Sequence, residues 1–284
     1  MPTHPREERE LKHDEAHSPP VGSIDCHVHI YDDRYPSAPD AKLLPPNALL
    51  DDYVKIQKCL GMARFVLVTP STYGTDNRSV LDALVQQQGN ARGVVVVDGS
   101  ITDQALREMD ELGARGVRFN LTLGGASLAL LEVMAERIAP LGWHIQIVAN
   151  GHDLVELEPR LAQLPVPLVI DHMGHLPQPE GVHSQAFAAL ERLLATGNTW
   201  VKLSGPYIRS LTGAPDYEDV GNIARVLVRL HPARMLWGSD WPHPMAKAGT
   251  PDTPDLLRLL ATWVPDRATW ERILRDNPVA LYGF

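Results

Sequence analysis

The sequence predicts an α/β protein, a (β/α)8 TIM barrel with extra C-terminal helices. Short β-branched runs alternate about eight times with helix-length segments of apolar periodicity. The runs are continuously apolar, the pattern of parallel strands buried on both faces. The length, 284 residues, suits one large barrel better than two ordinary domains.

Taken in order, residues 1–22 (MPTHPREERELKHDEAHSPPVG) read as a polar, mobile tail preceding a barrel over 23–284. Its His4, His13 and His17 are read as solvated. The predicted strands are IDCHVHI (24–30), RFVLVT (64–69), GVVVVD (93–98), RGVRFNL (115–121), WHIQIVA (143–149), PLVIDHM (167–173), TWVKLS (199–204) and RMLWGSD (234–240). Between them lie helical segments such as ALLDDYVKIQKCL, DQALREMDELG, AFAALERLLATG and VGNIARVLVRL. The ending TPDLLRLLATWVPDRATWERILRDNPVALYGF reads as two more helices joined at Val264-Pro265. An open doubly wound sheet is the alternative, but it usually carries a Gly-rich phosphate turn after its first strand. Here that strand ends in His-Val-His-Ile-Tyr.

Composition narrows the function. With 44% hydrophobic residues the chain can bury a core. A formal net charge of −9 argues against nucleic acid as a partner, though a few local Arg residues can hold a small anion. Two cysteines, Cys26 and Cys59, give no disulfide framework. No run is long and apolar enough for a membrane helix or a secretory signal, so a cytoplasmic location and no membrane partner are expected. Gly-x-Ser-x-Gly, Walker A and Gly-x-Gly-x-x-Gly patterns are absent from the sequence.

Three segments carry the chemistry. In Asp25-Cys26-His27-Val28-His29, period two puts His27 and His29 on one face of the first strand and Cys26 and Val28 on the other. Asp171-His172-Met173-Gly174 ends the sixth strand, and Gly238-Ser239-Asp240-Trp241-Pro242-His243-Pro244 closes the eighth. Each segment alone fits ordinary core or turn residues. Together they lie at strand C-termini, which converge on one mouth in a closed barrel. The first and eighth strands are neighbours there, which predicts Asp240 beside His27 and His29.

This motif set resembles the amidohydrolase superfamily, in the branch of 2-pyrone-4,6-dicarboxylate lactonases, sulfomuconolactone hydrolases and galactarolactone isomerases. The likeness runs from Ser23 to Phe284 and includes Pro70–Arg78, Gly116–Asn120, Lys202-Leu203-Ser204 and Asp276-Asn277-Pro278. It implies Asp240 as the general base. His27, His29 and His172 would polarise the lactone carbonyl or hold a metal, and Ser71 and Arg118 would bind substrate. Tyr73, Arg78, Lys202, Arg209 and His243 complete the expected substrate-binding set.

Two departures from the family matter. Strand five offers Gln146 and Val148 instead of a ligand His, and strand four offers Arg118 or Asn120 instead of Lys. A carboxylated-lysine binuclear site is therefore not expected. The reading is that no metal is required; the alternative is one divalent ion, zinc, on His27, His29 and Asp240. The dicarboxylate lactonases also carry a second Arg after the strand-four Arg and an Arg after Asp-His-Met-Gly. This chain reads Leu121–Gly125 and His175 there, which argues against that dicarboxylate as substrate and leaves Arg78, Arg118, Lys202 and Arg209 as cations able to hold one acid group.

The expected function is hydrolysis of a small anionic lactone by water attack. The alternatives are a lactone isomerase with a substrate hydroxyl as attacker, a mononuclear zinc-dependent hydrolase or decarboxylase, and a non-catalytic ligand-binding barrel. The substrate and the oligomeric state stay open.

Overall fold

Eight parallel strands in chain order form a nearly closed barrel with helices between them, in a computed structural model that describes residues 17–246 and 251–284. They are β1 (Ile24–Val28), β2 (Arg64–Val68), β3 (Ala91–Val95), β4 (Ala114–Asn120), β5 (His144–Val148), β6 (Leu168–Ile170), β7 (Thr199–Leu203) and β8 (Met235–Trp237). The ring closes just past β8. Asp240 N donates to His27 O and His29 N to Trp241 O, both at 2.9 Å.

Strand alternation sorts the side chains. Phe65, Leu67, Ile145, Ile147, Val201 and Leu203 belong to the apolar shell against the helices. Cys26, Val66, Val68, Val94, Val169 and Leu236 pack with Tyr282 inside the barrel. Burial on both faces explains why the strands read as unbroken apolar runs. The helices obey local signals: Thr102 caps Asp103–Leu112 by accepting from Ala105 N, and Gly113 ends it at φ 107°.

Cys26 corrects the period-two reading of β1. The β1–β2 register steps from Asp25↔Phe65 to Val28↔Leu67, so β1 holds one extra residue there. This bulge lets Cys26 join the interior cluster while the next side chain, His27, also reaches interior groups. The fully buried Asp25 carboxylate braces the bulge. It accepts from His27 N at 3.2 Å, Ser239 N at 2.9 Å and Tyr53 Oη at 3.0 Å.

Every strand stops earlier than predicted, by one residue in β2, β4, β5 and β7, by two in β1 at Val28, and by three in β3 at Val95, β6 at Ile170 and β8 at Trp237; β3 also begins at Ala91 instead of Gly93. After β6 and β8 the reason is backbone conformation. After β6 the chain turns left-handed, with positive φ at His172 (50°), Met173 (53°), Gly174 (69°) and His175 (45°). Asp240 and His243 also have positive φ, 59° and 64°. Non-glycine residues resist this region by roughly 1–2 kcal/mol each, and such outliers gather where side chains must be aimed.

The C-terminal segment forms helices Thr253–Trp263 and Arg267–Tyr282, the second interrupted by a π turn at Arg272–Asp276. They separate at Val264-Pro265 as expected. Asn277 ties the second to the barrel, donating to Pro232 O and Met235 O at 2.9 and 2.7 Å. The predicted tail lies outside the described residues up to residue 16, including His4 and His13. At its inner end, Trp270 Nε1 and Arg267 donate to Ser18 O, and His17 meets the Trp270 ring edge-on. No helix among the described residues is long and apolar enough to cross a membrane.

Candidate active site

The three chemistry-bearing segments meet at the C-terminal mouth. His27 Nε2 lies 3.1 Å from His29 Nε2, and each lies 3.6 Å from Asp240 Oδ1. The His27 and His172 rings are 4.8 Å apart. A pocket opens over this group, lined by His29, Ser71, Arg118, His172, His175 and Asp240 among others. His27 is fully buried behind it.

Close packing makes the meeting possible. A Cβ on Gly238 would fall 2.6 Å from His27 Cβ and 2.8 Å from His27 N, so only glycine lets the end of β8 reach β1. His172 is aimed by the left-handed turn after β6 and held by Ser204 Oγ, 2.9 Å from its Nδ1. His29 donates from Nδ1 to Val68 O at 2.8 Å, because a carbonyl can only accept. Its Nε2 therefore carries the lone pair.

Asp240 is polarised from both sides. Tyr207 Oη donates to Asp240 Oδ2 at 2.5 Å and lies 3.4 Å from His243 Nδ1, while His243 Nε2 pairs with Thr253 Oγ1 at 2.9 Å. Burial pushes the Asp240 carboxyl up to about 7, against the lowering pull of the Tyr207 hydrogen bond and the Arg118 charge. Burial also keeps the imidazoles neutral, His29 down to about 3 and His175 to about 4. Burial alone would raise Asp171, but Lys202 and His27 hold it well below the ordinary carboxylate range.

Several predicted substrate contacts sit elsewhere. Lys202 is fully buried beneath the pocket, bonded to Gln146 Oε1 at 2.8 Å. Arg78 is exposed and paired with Asp76 at 2.6 Å. Tyr73 spends its hydroxyl on the Asp32 backbone, at 2.7 Å from N and 3.0 Å from O. Arg209 is exposed and donates to Asn150 Oδ1, and His243 is buried behind Tyr207. Ser71 and Arg118 do line the pocket, and Arg118 is the one cationic side chain doing so among the described residues.

Four residues outside the expected set stand out. Asp171 accepts from Gln146 Nε2 at 2.8 Å and pairs with Arg118 Nε at 3.4 Å. Its place beside His172 was a usable signal. Gln146, read only as a missing ligand, and Tyr207, in the short 3-10 turn Pro206–Ile208 after β7, gave none. His175 lines the pocket with both ring nitrogens unpartnered.

In spacing alone the outer donors match a divalent cation. Two nitrogens each about 2.1 Å from one ion are about 3.0–3.4 Å apart between octahedral and tetrahedral geometry, and 3.1 Å separates His27 Nε2 from His29 Nε2. His27, His29 and Asp240 form one group able to hold an ion; His27, Asp171 and His172 form another.

Imidazoles from the first and sixth strand ends facing a carboxylate after the eighth define an enzyme of the hydrolytic barrel class. The chain belongs to the Amidohydrolase family, whose model matches residues 24–284. It is 37% identical over 277 residues to 2-pyrone-4,6-dicarboxylate hydrolase of Comamonas testosteroni, covering 93% of this chain and 90% of the relative. It is 32% identical over 268 residues to D-galactarolactone isomerase of Agrobacterium fabrum, covering 93% and 91%. A crystal structure of a probable 2-pyrone-4,6-dicarboxylic acid hydrolase from Acinetobacter baumannii, with citric acid bound, superposes at TM-score 0.84 with 26% identity, covering 93% and 100%.

Proposed function

We propose that this chain opens a small anionic lactone by water attack, with Asp240 as the general base. The observation that carries this is the state of Asp240: one oxygen is clamped by Tyr207, while the other faces His27 and His29 at 3.6 Å beside the pocket. Its carboxyl, pushed up to about 7 by burial, is matched to taking a proton near neutral pH. His172 presents the other edge of its ring to the pocket; with Ser204 Oγ donating to Nδ1, its Nε2–H polarises the carbonyl and stabilises the oxyanion. Arg118 holds the acid group and Ser71 the lactone edge. His175, neutral and unpartnered, suits a hydroxyl or carbonyl of the substrate better than a second carboxylate. The names of the relatives support the lactone class.

The reading requires no metal. Where a divalent ion binds, His27, His29 and Asp240 are the residues to hold it, and it would supply Lewis-acid activation of water. Replacing Asp240→Asn is expected to lower kcat by about 10²–10⁴-fold, the range for a general base, with an unchanged melting curve. Near-normal kcat would remove Asp240 from the reaction.

The isomerase among the relatives favours a second reading, in which a substrate hydroxyl attacks in place of water. Reaction in 18O-water separates the two. A hydrolase places solvent oxygen in the product carboxylate, and an isomerase leaves the product unlabelled.

A further inference from the structure

Below the pocket lies a second set of donors and acceptors. His27 Nδ1, Asp171 Oδ1 and Gln146 Oε1 converge on Lys202 Nζ at 3.2, 3.4 and 2.8 Å. All four side chains are buried, Lys202 completely. Lysine is almost never fully buried unless paired. Here Gln146 Oε1 and His27 Nδ1 lie at hydrogen-bond distance from the ammonium, and the Asp171 carboxylate sets the opposite charge beside it.

The consequence passes through His27. An ammonium only donates, so facing Lys202 favours a lone pair on His27 Nδ1, although an Nδ1 proton would have Asp171 Oδ1 at 3.3 Å to meet. A neutral ring then holds its proton on Nε2, directed at His29 Nε2, 3.1 Å away. His29 passes its own Nδ1 proton to Val68 O at 2.8 Å. Every donor from Lys202 to Val68 points the same way. The other tautomer would set a ring N–H against the ammonium and two lone pairs against each other.

We propose that Lys202 is a positioning residue: a tethered cation filling the inner donor set, it holds His27 as the Nε2–H tautomer and so makes it a hydrogen-bond donor instead of a metal ligand. A metal ligand must offer a lone pair. An ion on His27, His29 and Asp240 would force the His27 proton onto Nδ1, toward Asp171 Oδ1 at 3.3 Å but against Lys202. The ion would also face a like charge. This inference rests on the same site as the metal-free lactonase reading and deepens it, yet its test needs no substrate.

The full chain is labelled with 15N-histidine, and long-range proton–nitrogen correlation spectra distinguish protonated from unprotonated ring nitrogens. Comparison with His27→Gln assigns the His27 signals. The wild-type ring is expected as Nε2–H. In Lys202→Met the proton is expected to move to Nδ1, and zinc affinity, measured by calorimetry on metal-stripped protein, to rise at least ~10-fold once the like charge is gone. A merely structural lysine would change the melting temperature and leave the His27 tautomer alone. An Nδ1–H wild-type ring, or a folded Lys202→Met variant with unchanged tautomer and zinc affinity, overturns the proposal. If that variant does not fold, the wild-type spectrum decides. Absence of lactone turnover would refute the proposed function and leave these readouts intact.

Discussion

Tyr207→Phe is the most informative single perturbation of the site. It deletes one oxygen, the donor 2.5 Å from Asp240 Oδ2, and keeps the ring that meets His243 edge-on at 5.7 Å. A hydrogen bond to a charged group is worth about 1.5–3 kcal/mol. At about 1.4 kcal/mol per unit, losing it raises the carboxyl by roughly 1–2 units. The sign follows from which form the bond favours: the phenol stabilises the ionised carboxylate, so its removal favours the proton. Starting from about 7, the acidic limb of kcat/KM against pH moves to about 8–9. A base works only when deprotonated, so at pH 7 the rate falls about 5- to 50-fold and recovers as pH rises. The assay is initial-rate hydrolysis between pH 5 and 10, corrected for spontaneous ring opening. An acidic limb that stays in place, with the rate lowered equally at every pH, would refute the link between this phenol and the base.

Further predictions follow from the same structure. Stability is expected to fall as pH drops from about 6.5 toward 4, read by thermal melts. Burial depresses His27, His29, His144, His172, His175 and His243 in the folded protein, so the unfolded chain takes up their protons first. Each such proton contributes a slope of about 1.4 kcal/mol per pH unit. Asp240, raised by burial to about 7, and Asp25, also raised by burial, oppose this with one proton each, taken up between the unfolded and folded values. Gly238→Ala is expected to destabilise by about 1–3 kcal/mol or more in chemical denaturation, because the new methyl meets His27 backbone that cannot swing away. Arg118→Met is expected to raise KM for an anionic lactone at least ~10-fold, as lost ion pairing in a buried pocket costs more than at the surface. Arg78→Ala is expected to leave kcat/KM within about twofold, since surface pairs are worth little and Arg78 lies outside the pocket.

The sequence alone carried the architecture. Eight apolar runs with helical segments between them require parallel strands covered on both faces, and closing them sends every strand end to one mouth. That reasoning placed His27, His29, His172 and Asp240 together before any distance was known. Ser71 and Arg118 came from the family resemblance instead, and both line the pocket.

What only the tertiary structure decided lies in the irregular backbone. The bulge in β1, the left-handed turn after β6 and the positive φ at Asp240 have no periodicity to read, yet they aim the side chains that matter. Lys202, Tyr73, Arg78, Arg209 and His243 are polar residues near strand ends, as a substrate contact should be. Whether such a side chain meets solvent, a ligand or another buried group depends on partners far away in the chain. Lys202 meets Asp171 and His27, and Tyr207 finds Asp240 past the end of the neighbouring strand. Strand periodicity follows from neighbouring residues, whereas these pairings exist only once the ring has closed.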